Sequence, residues 1–477
     1  MARVQERVNP MSVIHALIEH LSDTDEIPAG LLAAPPRCRN VLGMRYREIS
    51  ADTRSRARRC CRRASWIALS ACCSGAVHAG TTPAPHEDSL LDAFELGGHV
   101  ELAYERLQNF DLDRTRGDNL DLFPFEVELN FLFEPSAYFQ AYLQFLLLHE
   151  LTLGERSDEI EGTQFVVEEA HATLAEPQLG LALQVGRQPF EDARQWLYDA
   201  DLDGIRGFYA RAPFSIELSA SREALVQEDL LNQTETESVN NYVAYGAYGL
   251  SDEVTIGAYG IVVDRRDEGD RTVFLGLQSF GAIGNRLTFW LDAAHVRGRE
   301  DDRDVRGYGF DVLGTYRFDL PFSPHVILGY AFGSGDSDPD DDRDGAFRQT
   351  GLQGNETEVG GLTPFRYYGE AFDPELSNLS IFTAGLGFLP REGLSADLVY
   401  HYYLQVVAAD ELRDSALDVE PTGDSRRLGG ELDLVLGFEA IEDVQIRGFL
   451  GYFMPGRAFE AGADTALVVR LEAQYEF

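Results

Sequence analysis

The sequence predicts an all-β fold: a transmembrane up-and-down antiparallel β-barrel of about 18 strands, with long extracellular loops and short periplasmic turns. Three observations carry this. From Glu95 onward, segments of about ten residues alternate apolar and polar side chains. The connections between them alternate short and long. Ahead of them stands a basic and then apolar stretch with the form of an export signal.

The alternation is plainest in residues 467–477. One face reads Leu467, Val469, Leu471, Ala473, Tyr475, Phe477, and the other Val468, Arg470, Glu472, Gln474, Glu476. Side chains on a strand alternate with period two, so one side is greasy and the other charged. In a membrane barrel the greasy face meets lipid and the charged face a wet lumen. Phe477 stands where outer-membrane barrels carry a terminal aromatic, so this strand is the expected contact with the barrel-assembly machinery. The segments centre on Val100, Val127, Ala141, Val167, Leu183, Phe208, Ile216, Ala244 and Ile256. They continue through Leu275, Phe289, Phe310, Ile327, Phe382, Asp397, Leu434, Ile446 and Val469.

Short connections fall at 134–136, 176–178, 211–213, 249–252, 282–284, 320–323, 389–392 and 440–442. Longer ones fall at 187–203, 222–240, 335–377 and 407–426. A sandwich or propeller has no reason to alternate in this way. An up-and-down barrel with one rim in the periplasm does. An even strand count puts both ends in the periplasm, residues 440–442 on that side and 335–377 outside. A barrel this wide is not filled by its own side chains, so an aqueous lumen is expected. Aromatics flanking the strands (Phe123, Phe125, Tyr138, Phe139, Tyr402, Tyr403, Tyr452, Phe453) are read as interfacial girdles.

Composition removes other classes. Mean hydropathy is −0.21, and the 477 residues contain no long uncharged apolar run, which excludes a helical membrane protein. All 40 basic residues are arginine. Beyond Ala79 there are 28 arginines against 73 acids, a formal charge of −45, which would repel nucleic acid. Acids gathered between strands would face water or divalent cations that bridge anionic lipid heads. All five cysteines precede Gly80, which suits passage through an oxidising periplasm.

Residues 1–53 lack periodicity and are read as a non-structural upstream extension. Residues 54–79 form the signal peptide, 80–94 a short periplasmic linker and 95–477 the barrel. Val77-His78-Ala79 fits cleavage after Ala79. Leu69-Ser70-Ala71-Cys72 fits a lipobox instead, but a barrel anchors itself and ordinary cleavage is expected. The destination is a Gram-negative outer membrane.

Two blocks are specific. Gly186-Arg187-Gln188-Pro189-Phe190 runs into Arg194, Trp196-Leu197-Tyr198-Asp199 and Asp203-Gly204-Ile205-Arg206. Phe347-Arg348-Gln349-Thr350-Gly351-Leu352-Gln353 is followed by Phe365-Arg366-Tyr367-Tyr368-Gly369-Glu370 and Pro374-Glu375-Leu376-Ser377-Asn378-Leu379. Together they resemble the signature blocks of the alginate-export family of outer-membrane proteins. The resemblance implies an eighteen-stranded barrel whose lumen carries basic residues for an anionic uronate polymer, with long loops gating or constricting the pore.

The pore arginines expected on this reading are Arg187, Arg194, Arg206, Arg317, Arg348, Arg366, Arg447 and Arg470, with Arg286 near them. Arginine suits a carboxylated sugar because its planar fork pairs bidentately and keeps its charge. The alternative for each is a structural pair with a lumen acid such as Glu472 or Asp397. The strongly acidic chain is a departure for a polyanion conduit, which softens if acids crowd the loops and arginines the constriction.

Other constellations carry less. Asp340, Asp342 and Asp344 before Gly345 resemble half a calcium loop, but Gly351 stands where the closing glutamate belongs, leaving loose calcium binding at most. His401 and Tyr403 share a strand face while Tyr402 points away, which reads as lumen lining and girdle rather than an acid–base pair. His171 follows Glu168 and Glu169 without a second ligand at metal spacing. No cofactor is expected. The resulting expectation is a passive channel for an acidic polysaccharide or its fragments. A nutrient-uptake porin is the first alternative and a barrel enzyme acting on lipid or glycan the second.

Overall fold

The computed structural model describes residues 93–477, apart from 118, 155–159, 224, 233–238 and 267. The upstream extension, the export signal with Ala79 and Cys72, and nearly all of the linker lie outside the described residues.

The first nine strands are β1 (Phe94–Gln108), β2 (Leu120–Ser136), β3 (Phe139–Gly154), β4 (Ile160–Glu176), β5 (Leu181–Glu191), β6 (Asp199–Arg211), β7 (Phe214–Arg222), β8 (Val239–Ser251) and β9 (Val254–Arg265). Next come β10 (Asp270–Ile283), β11 (Leu287–Glu300), β12 (Arg303–Arg317) and β13 (His325–Gly333). Three two-residue strands, β14 (Arg343–Asp344), β15 (Glu356–Thr357) and β16 (Phe365–Arg366), belong to one long loop. The wall is completed by β17 (Leu379–Arg391), β18 (Leu394–Gln405), β19 (Arg427–Ile441), β20 (Val444–Pro455) and β21 (Ala466–Glu476).

Setting the three short strands aside leaves 18, each containing the residue on which the period-two pattern centres it. Every neighbouring pair in the wall is antiparallel, and β1 also pairs with β21, bringing Val100 opposite Tyr475 and Glu105 opposite Arg470. Closure matters because an open sheet edge in hydrocarbon would leave backbone groups without partners. Gly98 and Phe477 exchange both backbone hydrogen bonds at the seam, at 3.1 and 3.0 Å.

The two faces of the wall differ as the pattern demands. Leu96, Leu102, Leu218, Leu277, Leu328 and Leu386 are exposed on the outside, where lipid replaces water. Glu101, Glu126, Gln144, Asp292 and Asp311 are buried on the inside. Tyr138, Phe214, Tyr248, Tyr316, Phe388 and Tyr475 stand exposed at the ends of strands beside the short turns and form the periplasmic girdle. Tyr403 and Phe453 do not belong to a girdle. Both face inward and are fully buried, because each follows an outward neighbour (Tyr402, Tyr452) by one residue.

The inside is not empty. The loop between β13 and β17 leaves and rejoins the extracellular rim, but instead of staying outside it descends through the lumen. Phe347, Tyr367, Tyr368, Phe372 and Leu376 are all nearly inaccessible, packed with the wall residues Ile327, Val399, Tyr403, Val435, Phe453 and Val468. Its tip reaches the periplasmic mouth, where Thr315 Oγ1 donates to Val359 O, Arg317 donates to Gly360 O at 2.9 Å, and Leu362 N donates to Ser395 Oγ at 3.1 Å. The lumen that eighteen strands leave open is thus largely filled by the protein's own chain.

Wall glycines make room for this. A Cβ on Gly309 would lie 2.7 Å from ring carbons of Phe347, and one on Gly451 would lie 2.9 Å from Glu370 Cβ. Gly309→Leu is therefore expected to dislodge the loop locally while leaving the strand ladder intact. Trypsin cleavage after Arg348 in the folded barrel should rise severalfold, and resistance equal to the parent's would show that the loop tolerates displacement at Phe347.

Candidate functional site

The two sequence blocks meet inside the barrel. Residues 192–198 fold over the lumen from the β5–β6 side. Both carboxylate oxygens of Asp192 hold this turn, accepting from Arg194 N, Trp196 N, Leu197 N and Tyr198 N at 2.7–3.1 Å. The descending loop docks on it. Trp196 Nε1 donates to Tyr368 Oη at 2.9 Å, Tyr367 Oη donates to Arg194 O at 3.1 Å, and Gly354 N and Asn355 N both donate to Gln195 O at 2.9 Å. The Gln349 amide donates to Trp196 O, and Thr350 Oγ1 to Leu197 O. Trp196 stacks on Phe347 at 5.9 Å between ring centres. Buried polar groups with satisfied partners rigidify a site, so this is a latch between two loops.

Around the latch, the structure brings most of the candidate arginines into the lumen, each beside a carboxylate. Arg187 forks onto Asp203, with contacts at 3.1 and 3.0 Å, and also donates to Val226 O. Arg206 forks onto Glu217 at 2.9 Å through both nitrogens, with its guanidinium over Phe190 and Phe208. Arg194 lies 2.9 Å from Asp311 and 3.6 Å from Asp292, stacked on Tyr367 and Trp290. Burial opposes its charge, but Asp311, Tyr367 and Asp292 outweigh that and raise its pKa well above the ordinary arginine value. Burial and the Asp311 carboxylate likewise hold the Tyr368 hydroxyl protonated far above the usual tyrosine range.

Arg447 and Arg470 share Glu472, at 3.1 and 2.9 Å. Arg447 adds Glu101 at 2.7 Å, and Arg470 adds Glu370 of the loop at 3.2 Å. Arg470 thereby ties the loop to the closing strand. Arg348 pairs with Glu300 and Asp344, and Arg366 lies 3.5 Å from Asp373. Asp397, expected to face an arginine, instead holds His325. Arg317 differs from all of these: it is exposed at the periplasmic mouth, with no ion pair among the described residues. Arg286, beside it, lies 3.6 Å from Asp319.

Of the three calcium candidates, Asp340 and Asp342 sit on an exposed loop tip while Asp344 is turned onto Arg348. Among the described residues no group of three or more potential metal ligands converges.

Both blocks lie within the stretch that decides the family, since a profile described as alginate export matches residues 108–470. The chain belongs to the alginate export family. The alginate production protein AlgE of Pseudomonas aeruginosa is 28% identical over 204 residues, covering 39% of this chain and 40% of that protein. AlgE of Azotobacter vinelandii is 30% identical over 188 residues, 35% of this chain and 38% of that one. AlgE of Pseudomonas syringae pv. tomato is 22% identical over 390 residues, 65% of this chain and 76% of that one. The match thus spans about two fifths of the length of the first two relatives. Among solved structures, Pseudomonas aeruginosa OccK2 (OpdF) aligns with a TM-score of 0.55 at 13% identity, over 82% of this chain and 99% of that one. OccK5 (OpdH) of the same species aligns at 0.53 and 13%, with the same coverage. These likenesses show the fold, and with the family they place this alginate export protein in the outer membrane of a Gram-negative cell.

Trp196, Phe347, Tyr367 and Tyr368 stood in the two signature blocks without an assigned role, and Phe372 was not singled out. The signal was present: a loop bathed in water has no reason to carry so many aromatics.

Proposed function

We propose that this member of the alginate export family is a passive outer-membrane channel, not an enzyme, for an acidic uronate-type polysaccharide or its oligosaccharides. One observation carries the reading furthest. The lumen arginines are held in forked pairs with carboxylates, the same chemical group that each uronate unit would present. A uronate carboxylate would therefore compete with Asp203, Glu217 or Asp311 for the same guanidinium forks. Arg317 supports the direction of passage. It offers a guanidinium with no carboxylate partner among the described residues, tied only to Gly360 O, at the periplasmic mouth, where an exported polymer would first arrive.

The test is planar-bilayer recording with oligouronates as blockers. The parent should be blocked by them from the periplasmic side. Arg317→Ala should weaken block about two- to fivefold, the worth of one screened surface charge, and less at high salt. Arg317 suits the test because its removal leaves no buried carboxylate behind. A strongly cation-selective parent indifferent to uronates would mean that the lumen acids rule passage, and the reading would give way to a cation-preferring uptake porin.

A further inference from the structure

The outward face of β10–β12 carries a cluster of arginines at its extracellular end. On β11 the outward residues run Leu287, Phe289, Leu291, Ala293, then His295, Arg297 and Arg299. On β10, Leu277, Leu275 and Val273 give way to Arg271, and on β12, Val312, Phe310 and Tyr308 give way to Arg306. The three strands change within one outward position of each other, since Arg271 pairs with Arg299 and Arg297 with Arg306. A strand tilted by about 40° climbs roughly 2.5 Å per residue, so Arg297 stands about 25 Å above Leu287. That is the height of the apolar band. The cluster therefore sits at its upper edge, level with the headgroups of the outer leaflet.

The arrangement sets like charges side by side at Arg297. Arg297 lies directly opposite Arg306, and Arg271 opposite Arg299, and like charges across a ladder repel; on their other sides Arg271 faces Asp264 and Arg299 faces Asp304, whereas Arg297 faces only Val273 and Arg306. Three carboxylates on this face are already engaged: Asp264 with Arg266 at 3.2 Å, Asp302 with Arg299 at 2.9 Å, and Asp304 with Arg306 at 3.9 Å. Arg271 and Arg297 keep no ion pair among the described residues. Both line an open cleft of about 660 Å³ with Val273, His295, Asp304 and Arg306. Below the cleft the exposed Leu275, Leu291 and Tyr308 offer a surface for acyl chains. In a chain with 80 acids and 40 basic residues, a lipid-facing patch dominated by arginine needs a specific partner.

We infer that Arg271, Arg297 and Arg306 form a binding site for the phosphorylated sugar headgroup of an outer-leaflet glycolipid. Its acyl chains lie along Leu275, Leu291 and Tyr308. Arginine forks match phosphate oxygens bidentately, and the cleft is open toward the membrane plane, where such a lipid arrives already oriented. The site lies on the opposite side of the wall from the lumen and does not depend on what the lumen carries.

Native mass spectrometry of the detergent-extracted full barrel, titrated with bisphosphorylated lipid A, reads the site directly. The parent should retain one lipid A at low concentration. It should bind the dephosphorylated lipid far less, and inorganic phosphate alone should not displace the adduct. Arg271→Ser/Arg297→Ser/Arg306→Ser should weaken retention on the order of a hundredfold, about fivefold for each arginine, with heat-modifiable gel migration confirming a folded barrel. Should the triple variant not assemble, Arg297→Ser alone should show the fivefold loss, since it breaks no ion pair. Equal retention by parent and variant would overturn the proposal, as would equal binding of the dephosphorylated lipid. A variant that loses self-association but keeps its lipid would also overturn it, by assigning the patch to a second copy of the barrel.

Discussion

Replacing residues 335–377 with a two-residue Asn-Gly turn is expected to raise single-channel conductance about two- to fivefold, toward that of an unobstructed wide barrel. The deletion is geometrically permitted because β13 and β17 are ladder neighbours, with Gly333 directly opposite Leu379. The wall closes through its own hydrogen bonds, so the barrel should still assemble. What is lost is the packing of Phe347, Tyr367, Tyr368 and Phe372 inside the lumen, and with it the chain that runs down to the periplasmic mouth. Carboxylates that now serve the loop, such as Glu431 accepting from Ala371 N and Phe372 N, would be hydrated instead. Uronate block should weaken in the same preparation, because Arg348 and Arg366 leave with the loop. Unchanged conductance would mean that ions follow a route the loop does not occupy.

Arg470→Ala should cost about 3–5 kcal/mol of stability, because removing one partner of a buried ion pair strands the other. Here Glu370, 3.2 Å away on the loop, loses its ion pair to Arg470, and Glu472, 2.9 Å away on β21 itself, is left with Arg447 alone. The guanidinium also stacks 4.0 Å from the centre of the Phe449 ring, a contact that alanine cannot supply. Urea titration of the barrel in lipid vesicles measures the loss. Glu370→Gln placed in the same chain should recover part of it, since an amide is cheaper to bury than an unpaired charge. A midpoint matching the parent's would show that Arg447, already on Glu101 and Glu472, neutralises this corner by itself.

The wall was legible in the sequence because a lipid-facing strand obeys one strict rule. Residues 467–477 alternate with Val468 the one apolar side chain on the inner face, and the structure turns Arg470, Glu472 and Gln474 inward and Leu471 and Tyr475 outward. The short turns were legible for the related reason that a chain reversing at a membrane surface needs few residues. The lumen was harder to read. Period two says which way Tyr403 points but not what fills the space before it, and residues 345–377 are mostly irregular, with no period at all. The arginines were recognisable as lumen groups by type. Their partners were not, because Arg194 reaches Asp311 across 117 positions of chain and only the closed barrel defines that distance. The aromatic content of the loop was the one local clue that it avoids water.

The latch between residues 192–198 and the descending loop has a consequence for assembly. Tyr198 and Leu352 form a backbone bridge although 154 positions separate them, and many of the loop's other supports, Tyr403, Val435, Phe453 and Val468 among them, lie on β17–β21, the last strands made. Contacts so remote in the chain are slow to form, because the entropy of closing the intervening segment is lost before any contact rewards it. The wall, zipped between strands adjacent in sequence, can close first. A newly closed barrel whose loop is not yet seated is then a leak in the cell's outer barrier. The interval between closure and seating is the time for which the cell tolerates that leak.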